Sequence, residues 1–257
     1  MSHLETFVAF ADALADLARP IATQYFGQPV PIDIKADDSP VTQADRAIES
    51  SLRDEVLRHH PTHGFLGEET EPYQPDAEYV WVIDPIDGTR AFIGQKTTFT
   101  TLIALCHHGK PIVGVIDQPI RRERWIGTTH TLFNGAQTPH LLHRTLSNAT
   151  VATTSMTYFS ALEAMAFSSL ERAANTTILN HDGYAFGLLA NGTVDIAIEA
   201  KLKPYDFCAL VPVVEGAGGI ITDWSGNPLT LYSTGHVVAC TNKMLHSQVL
   251  DLLQPPF

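Results

Sequence analysis

Apolar residues recur at helical intervals in two segments near the start of the chain. The first segment covers residues 2–26, and its apolar positions are Leu4, Phe7, Ala11, Leu14, Ala18, Ile21, Ala22 and Tyr25. This spacing predicts an amphipathic helix, which Pro20 would kink or divide. The second segment covers residues 42–60 and is followed by Pro61, so we expect a second helix that ends there.

Strand-like runs dominate the next part of the chain. An apolar run from Tyr79 to Ile83 opens this region, and β-branched and aromatic residues enrich the runs at residues 98–107, 111–117 and 122–128. Turn signals such as His108-Gly109-Lys110 separate these runs. We therefore expect an antiparallel sheet with helices on one side.

Strands and helices alternate in the second half of the chain. The pattern predicts strands at residues 150–154, 177–179, 194–199, 220–222 and 237–240, and helices at residues 160–174, 184–189, 206–215 and 243–253. Such alternation is typical of α/β structure. A boundary near residues 143–148 would divide the chain into an α+β half, residues 1–146, and an α/β half, residues 147–257.

The composition is that of a folded, acidic protein. Of the 257 residues, 44% are hydrophobic and 17% are charged, which suits one large domain or two small ones and excludes a disordered chain. The formal net charge of -12 argues against a general nucleic-acid or anionic-membrane binder. Because the sequence shows neither a membrane-length apolar run nor a signal-peptide pattern at its start, we expect a cytoplasmic protein without nucleic-acid or membrane partners.

The apolar run at residues 79–83 ends in two aspartates, Asp84 and Asp87, with Pro85 between them and Gly88-Thr89 after them. Two carboxylates this close repel each other unless a positive charge lies between them. Mg2+ is the cation expected between these carboxylates, because hard divalent cations prefer oxygen ligands. Together with free backbone N–H groups at the turn, such a site suits a phosphate ester.

Three more acidic residues lie at the ends of predicted elements. They are Asp45 at the start of the second helix, Glu68 after Phe65-Leu66, and Asp206 after Pro204-Tyr205. Taken singly, each is also explained by a solvated loop or a helix cap, and for Asp206 cap and ligand are equally compatible with the residue type. Among the twelve histidines, no His-x-x-x-His pair of the kind that binds zinc falls on a clear predicted helix.

Three motifs in the chain resemble those of the inositol monophosphatase superfamily. They are Gly67-Glu68-Glu69-Thr70, Asp84-Pro85-Ile86-Asp87-Gly88-Thr89, and Tyr205-Asp206 before an Ala/Gly-rich helix, and they stand in the family's order. The resemblance implies a layered αβαβα sandwich of the inositol-monophosphatase and sugar-phosphatase type. This is an α+β fold with an antiparallel N-terminal sheet and a mixed C-terminal α/β sheet. The resemblance also implies a homodimer.

Within the superfamily, the chain most resembles histidinol-phosphate phosphatases of the inositol-monophosphatase type. The passages that carry this likeness are Gly88-Thr89-Arg90-Ala91-Phe92, Lys203-Pro204-Tyr205-Asp206 and the segment from Ala209 to Trp224. Two segments depart from the family pattern. Residues 95–100 are poorer in glycine and proline, and residues 180–183 read Asn-His-Asp-Gly where many relatives have Gly-Gly-Asp-Cys.

The resemblance implies a site for two or three Mg2+ ions, with Mn2+ as a substitute. The implied metal ligands are the carboxylates of Glu68, Asp84, Asp87 and Asp206 and the backbone carbonyl of Ile86. Asp84 would bridge two of the ions. Asp45 would reach a third, near Glu68, through water.

The resemblance also implies a direct hydrolysis of the phosphate ester, without a covalent phosphoenzyme. Thr89 and Asp45 would orient and deprotonate the attacking water, and Glu68 would take part in catalysis through its metal ion. The backbone N–H groups of Gly88 and Thr89 would hold the phosphate oxygens. The substrate expected from this reaction is a small phosphorylated molecule.

Other residues are candidates for contacts with the rest of the substrate. Histidinol phosphate carries an ammonium group and an imidazole, so its pocket should offer carboxylates beyond the metal ligands. Asp182 and Glu199 align with substrate-side positions of the family, although Asp182 is equally compatible with a helix N-cap. Arg90 would line the pocket or pair with an acid of a partner subunit. Lys35 would shield phosphate or gate metal release, unless it is a solvated loop lysine.

Three functions are compatible with these motifs. The first is a Mg2+-dependent histidinol-phosphate phosphatase of histidine biosynthesis. The second is the same chemistry on another monoester, such as an inositol phosphate, a sugar phosphate or a 3′-phosphonucleotide. The third is a cation-dependent regulatory protein that has lost turnover; it is disfavoured because every implied ligand and the Thr89–Asp45 pair are present.

Overall fold

The computed structural model describes residues 3–29, 32–34 and 40–253. Within them, the helices are α1 (His3–Tyr25), α2 (Gln43–His59), α3 (Thr89–Ile93), α4 (Ala161–Ala173), α5 (Tyr184–Ala190), α6 (Pro204–Phe207), α7 (Leu210–Gly216) and α8 (Lys243–Leu253). The strands are β1 (Ile32–Ile34), β2 (Pro40–Thr42), β3 (Gly64–Gly67), β4 (Tyr79–Asp87), β5 (Thr100–His107), β6 (Lys110–Gln118), β7 (Glu123–Gly127), β8 (Thr131–Phe133), β9 (Ala136–Gln137), β10 (Thr150–Thr153), β11 (Thr176–Leu179), β12 (Ile196–Glu199), β13 (Ile220–Thr222) and β14 (Val237–Cys240). Two short 3-10 turns span Leu146–Asn148 and Met156–Tyr158.

The first large sheet has the strand order β3-β4-β5-β6-β7-β8-β9 among the described residues. Strands β4 to β9 pair antiparallel, as the sequence predicts. The edge strand β3 instead pairs parallel to β4, with Gly67 opposite Ile83. This pairing corrects the expectation of a purely antiparallel sheet. It brings the carboxyl ends of β3 and β4 to the same edge of the sheet.

Both faces of this sheet are covered by helices, whereas the sequence suggested helices on one side. Side chains alternate along β4. Trp81 and Ile83 pack with α1 and α2, and Val80 and Val82 pack with α5 and α7. The helices on the second face come from the later half of the chain. The prediction therefore missed them because the contact is remote in sequence.

The second large sheet has the strand order β11-β10-β12-β14-β13 in the part of the chain that the structure describes. Its pairing is mixed, because β11, β10 and β12 are parallel while β12, β14 and β13 are antiparallel. One face meets α5 and α7, and the other packs against α4 and α8. The layers therefore run helix, sheet, helix, sheet, helix, which confirms the predicted αβαβα sandwich.

Three local features of the structure differ from the sequence analysis. The predicted helix at residues 206–215 is divided into α6 and α7, because Pro212 has no N–H to donate to the carbonyl four residues earlier. Helix α1 continues through Pro20. The small antiparallel pair β1–β2 lies in a segment for which the sequence analysis predicted no strand. None of the described helices combines the length and apolar character needed to cross a membrane. The division at residue 146 stays a prediction.

Candidate metal and phosphate site

Strand β4 delivers two buried aspartates, Asp84 and Asp87, to the edge of the first sheet. The pairing of β4 with β5 shifts register between these two residues. The chain at the shift is held by Thr101 Oγ1, which donates to the carbonyl of Pro85 at 2.8 Å. The N–H of Ile86 donates to Asp84 Oδ1 at 3.0 Å. This irregularity lets both carboxylates point to one side although they are three residues apart.

The carboxylate of Asp87 is anchored from both halves of the chain. Its Oδ2 accepts hydrogen bonds from Thr100 Oγ1 at 3.0 Å and from the N–H of Gly183 at 2.7 Å. A Cβ at Gly183 would lie 2.7 Å from the same oxygen. The absence of a side chain at Gly183 therefore allows its backbone to approach Asp87.

Asp206 in α6 completes a cluster with the two aspartates of β4. Ligand oxygens of Asp84, Asp87 and Asp206 all lie within 4.8 Å of one another. Oδ2 of Asp206 also accepts a hydrogen bond from the N–H of Lys203 at 2.6 Å, at the start of α6. The Asp206 carboxylate thus caps α6 and also faces the other two aspartates. The helix-cap and metal-ligand interpretations of Asp206 are therefore compatible.

Burial raises the pKa of every carboxyl group in this cluster. The pKa of Asp84 lies well above its usual range because of burial and the charges of Glu68, Asp87 and Asp206. The pKa of Asp87 is also raised well above its usual range, first by burial and then by the charges of Asp182 and Asp206. Burial raises the pKa of Asp206 to about 7. Such a set of oxygen donors, with too little positive charge among them, fits a hard divalent cation.

Glu68 follows β3 directly and lines the same cavity as Asp84 and Ile86. The parallel pairing of β3 with β4 accounts for this position, because it aligns the ends of the two strands. The backbone carbonyl of Ile86 accepts a hydrogen bond from Thr89 Oγ1 at 3.1 Å. The structure therefore brings together all the implied metal ligands around one cavity edge.

Asp45 and Thr89 lie beside this cluster. Asp45 is fully buried in the first turn of α2, where Oδ2 accepts from the N–H and Oγ1 of Thr42. Its other oxygen, Oδ1, accepts from Thr89 Oγ1 at 3.5 Å. Burial raises the pKa of Asp45. Gly88, just before Thr89, has a φ of +83°, so a left-handed residue presents the start of α3 to the cavity.

The cavity has a volume of about 550 Å3 and continues from the acidic cluster to a second wall. Glu199, at the end of β12, is buried on that wall and accepts from the N–H and Oγ1 of Thr154 at 2.5 and 2.8 Å. Burial raises its pKa to about 8. Asp182 is half-buried, and burial raises its pKa to about 6. Both predicted substrate-side acids therefore face the same space.

The remaining candidates have different outcomes. Arg90 is exposed and lines the cavity. This position agrees with the first of its two predicted roles, a contact in the pocket. Lys35 lies outside the described residues. Sequence reasoning missed Lys96 and Tyr158, which also line the cavity. Tyr158 belongs to an isolated 3-10 turn, and such a turn leaves no periodic signal in the sequence.

The chain matches the model of the inositol monophosphatase family over residues 3–255. It belongs to this family. The three motifs that resemble this family contribute four acids to one cavity, namely Glu68, Asp84, Asp87 and Asp206. Members of the inositol monophosphatase family are metal-dependent phosphatases, and the acidic cluster suits that dependence.

Individual relatives of the chain carry more than one phosphatase name. It is 42% identical over 264 residues to the "Bifunctional phosphatase IMPL2, chloroplastic" of Arabidopsis thaliana, covering 98% of this chain and 76% of that protein. It is 36% identical over 265 residues to the histidinol-phosphatase of Mycobacterium tuberculosis (strain ATCC 25618 / H37Rv), covering 98% and 99%. A solved structure of an inositol monophosphatase from Zymomonas mobilis matches with a TM-score of 0.91 and 43% identity, covering 99% and 100%. The family and the phosphatase chemistry are therefore shared, while the names differ in substrate.

Proposed function

We propose that this protein is a Mg2+-dependent phosphomonoesterase that hydrolyses L-histidinol phosphate to L-histidinol and phosphate. The observation that carries this proposal is the second acidic wall of the cavity. Asp182 and Glu199 face the space next to the metal cluster without belonging to that cluster. A substrate with cationic groups beyond its phosphate matches such a wall, and the relative from Mycobacterium tuberculosis that bears the name histidinol-phosphatase covers nearly the full chain.

The residues that would hold the cations are Glu68, Asp84, Asp87, Asp206 and the carbonyl of Ile86. All of these donors are oxygen atoms, which favours Mg2+ and allows Mn2+, but not a metal that prefers sulfur or nitrogen. When bound, the cations supply charge that stabilises the phosphate oxygens in the transition state and lowers the pKa of water.

Thr89 and Asp45 are the groups that would move the proton of the attacking water. The single hydroxyl proton of Thr89 can be donated to the Ile86 carbonyl at 3.1 Å or to Asp45 Oδ1 at 3.5 Å; when it turns to Asp45, an Oγ1 lone pair is left for the water. As the water attacks phosphorus, its proton passes to Thr89 Oγ1 and the hydroxyl proton of Thr89 passes to Asp45 Oδ1. The raised pKa of Asp45 makes this carboxylate a better proton acceptor than a free aspartate.

The phosphate would be held by the N–H groups of Gly88 and Thr89, two residues that line the cavity at the start of α3. Asp182 is the better partner for a substrate cation near neutral pH, because its pKa of about 6 leaves it ionised. Glu199, with a pKa of about 8, is protonated there until a cation approaches. Asp182 would therefore distinguish a cationic substrate from a neutral sugar or inositol ring.

An inositol monophosphate is the second candidate substrate. It is favoured by the 43% identity and near-complete overlap with the inositol monophosphatase from Zymomonas mobilis. Glu199 does not separate the candidates, because a hydrogen-bonding acid also suits a ring with hydroxyl groups. A regulatory role without turnover is less well supported. Relatives named "Nus factor SuhB" are 27 to 28% identical to this chain, which is less than the identity to the histidinol-phosphatase of Mycobacterium tuberculosis. In addition, each catalytic residue named above is present in this chain.

The test is phosphate release from a panel of L-histidinol phosphate, myo-inositol 1-phosphate and 3′-phosphoadenosine phosphate, with Mg2+ and with EDTA. We expect the highest kcat/KM with histidinol phosphate and no release in EDTA. Asp84→Asn should reduce release to background, whereas Asp54→Asn, on the exposed side of α2, should not. A higher kcat/KM with another substrate would refute the assignment of the substrate, and an active Asp84→Asn variant would refute the metal site.

Assembly and location are also part of the proposal. We expect a homodimer, which light scattering of the purified chain can test at micromolar concentration. A monomer there would contradict this part of the proposal without affecting the chemistry. A cytoplasmic location remains a prediction.

A further inference from the structure

Helix α2 carries a second buried acid, Glu49, one turn after Asp45. Its side chain is fully buried, and it does not line the cavity. Burial of a carboxylate is unfavourable unless hydrogen bonds replace the lost water. The partners of Glu49 therefore indicate what this residue is for.

Both carboxylate oxygens of Glu49 bind the segment that follows Glu68. Oε2 accepts from the N–H of Glu69 at 2.8 Å, and Oε1 accepts from Thr70 Oγ1 at 2.7 Å. These two bonds hold the chain directly after the cavity-lining Glu68. They connect it to a helix rather than to a neighbouring loop.

The residue before Glu68 is also shaped around Glu49. A Cβ at Gly67 would lie 2.3 Å from the carboxyl carbon of Glu49. No side chain therefore fits at Gly67 unless the carboxylate gives up its hydrogen bonds. Glu49 thus accepts hydrogen bonds from the two residues after Glu68 and packs against the residue before it, while Glu68 itself lines the cavity.

We propose that Glu49 is a positioning residue that sets the direction of the Glu68 carboxylate for cation binding. Asp45 and Glu49 lie four residues apart on α2, so one rigid helix aligns the acid that contacts Thr89 with the support of Glu68. Glu49 itself contacts neither the substrate nor the cation. The inference rests on the proposed function in one respect, namely that Glu68 is a metal ligand.

The test compares four full-length variants in their dependence on Mg2+. Glu49→Gln keeps the shape but places an N–H2 group against one of the two donors. Gly67→Ala keeps glutamate at position 49, but its added Cβ displaces the Glu49 carboxylate. Glu68→Gln is the reference for a lost ligand. Asp195→Asn is the matched control, because Asp195 is also buried and accepts from a backbone N–H, that of Thr150 at 2.8 Å, on the other sheet.

Two quantities are measured for each variant: the Mg2+ concentration for half-maximal activity, and the rise of Tm between EDTA and saturating Mg2+. We expect Glu49→Gln and Gly67→Ala to raise the half-saturating concentration about 10- to 100-fold, the range found for residues that support metal ligands. Their kcat at saturating Mg2+ should stay within about threefold of the wild-type value, because the reacting groups are intact. Asp195→Asn should leave the half-saturating concentration unchanged even if it lowers Tm in EDTA.

Substitutions of Thr70 add a conservative rescue. Thr70→Val removes one hydrogen bond to Glu49 and should shift Mg2+ dependence in the same direction, while Thr70→Ser should restore it. If Glu68→Gln shifts Mg2+ dependence but Glu49→Gln and Gly67→Ala behave like Asp195→Asn, the role of Glu49 is refuted and the proposed function stands. If Glu68→Gln itself has no effect, the assignment of Glu68 as a ligand is wrong, and the inference falls with it.

Discussion

The Asp182→Asn substitution should stabilise the metal-free protein and weaken its binding of a cationic substrate. Asp182 has a φ of +44° and is half-buried beside the acidic cluster. Burial raises its pKa from 3.8 to about 6. Asparagine has nearly the same shape and tolerates the left-handed backbone. The substitution therefore removes the charge and little else.

The pKa shift sets the size of the expected effect. A rise from 3.8 to about 6 corresponds to at most about 3 kcal/mol against the ionised group in the folded state. Because Asp182 is only half-buried, screening by solvent reduces this to about 1.5 kcal/mol. In a chain of this size that is a gain of about 3–6 °C in Tm.

The sign of the pH dependence follows from the raised pKa. Well below pH 3.8 both the folded and the unfolded chain carry a protonated Asp182, so the charge has no effect on stability. As the pH rises from about 3.8 to about 6, the folded state loses stability relative to a chain without this carboxyl group, and above about 6 the loss is complete. The gain from Asp182→Asn should therefore be complete near pH 8 and fall to about a third of that value near pH 4.5.

Two measurements test the reasoning about Asp182. Thermal unfolding in EDTA near pH 8 and near pH 4.5 gives the stability of wild type and variant, and steady-state kinetics near pH 8 gives KM. We expect KM for histidinol phosphate to rise about 10-fold, as for the loss of one charge-assisted contact, with little change for myo-inositol 1-phosphate. A variant that is less stable near pH 8, or that gains equally at both pH values, would refute the electrostatic argument.

Three further predictions concern pH and the metal site. Burial lowers the pKa of His63 to about 4, so stability should fall as the pH drops from about 6.5 to about 4; His63→Gln, which keeps an acceptor for Trp81 Nε1, should flatten that part of a Tm–pH curve. The Mg2+ concentration for half-maximal activity should increase from about pH 8 to about pH 6, because protons compete for Asp206 with its pKa of about 7; a constant value would contradict this. Gly183→Ala, whose Cβ would lie 2.7 Å from Asp87 Oδ2, should weaken Mg2+ binding about 10- to 100-fold in a titration of Tm, whereas unchanged binding would show that Asp87 tolerates the displacement.

The parts of the site that lie close together in sequence were predictable. The apolar run that ends at Asp84 and Asp87 predicts a buried strand with acids at its carboxyl end, and β4 has that form. The likeness to the inositol monophosphatase family then added Glu68 and Asp206, which the structure brings to the same cavity. Neither residue could be placed from local pattern alone, because each was equally well explained as a loop acid or a helix cap.

The parts that could not be predicted depend on contacts between distant segments. Strand β3 contains two glycines among four residues, so it lacks the alternation that identifies a strand. Its parallel pairing with β4 is nevertheless what places Glu68 beside Asp84. The role of Glu49 was hidden for a similar reason, because a polar residue in a helix pattern is normally assigned to the solvent side. Its burial becomes apparent only when α2 packs against the end of β3.

Backbone hydrogen bonds help to position the acidic cluster. The N–H groups of Ile86, Gly183 and Lys203 donate to Asp84, Asp87 and Asp206, respectively. The raised pKa values show that this arrangement is unfavourable for the ionised carboxylates. Cation binding removes that penalty and should stabilise the fold by about 2.7 kcal/mol at a cation concentration 100 times Kd. Because these hydrogen bonds and the packed cores do not use the cation as a partner, EDTA should lower Tm without abolishing the cooperative unfolding transition.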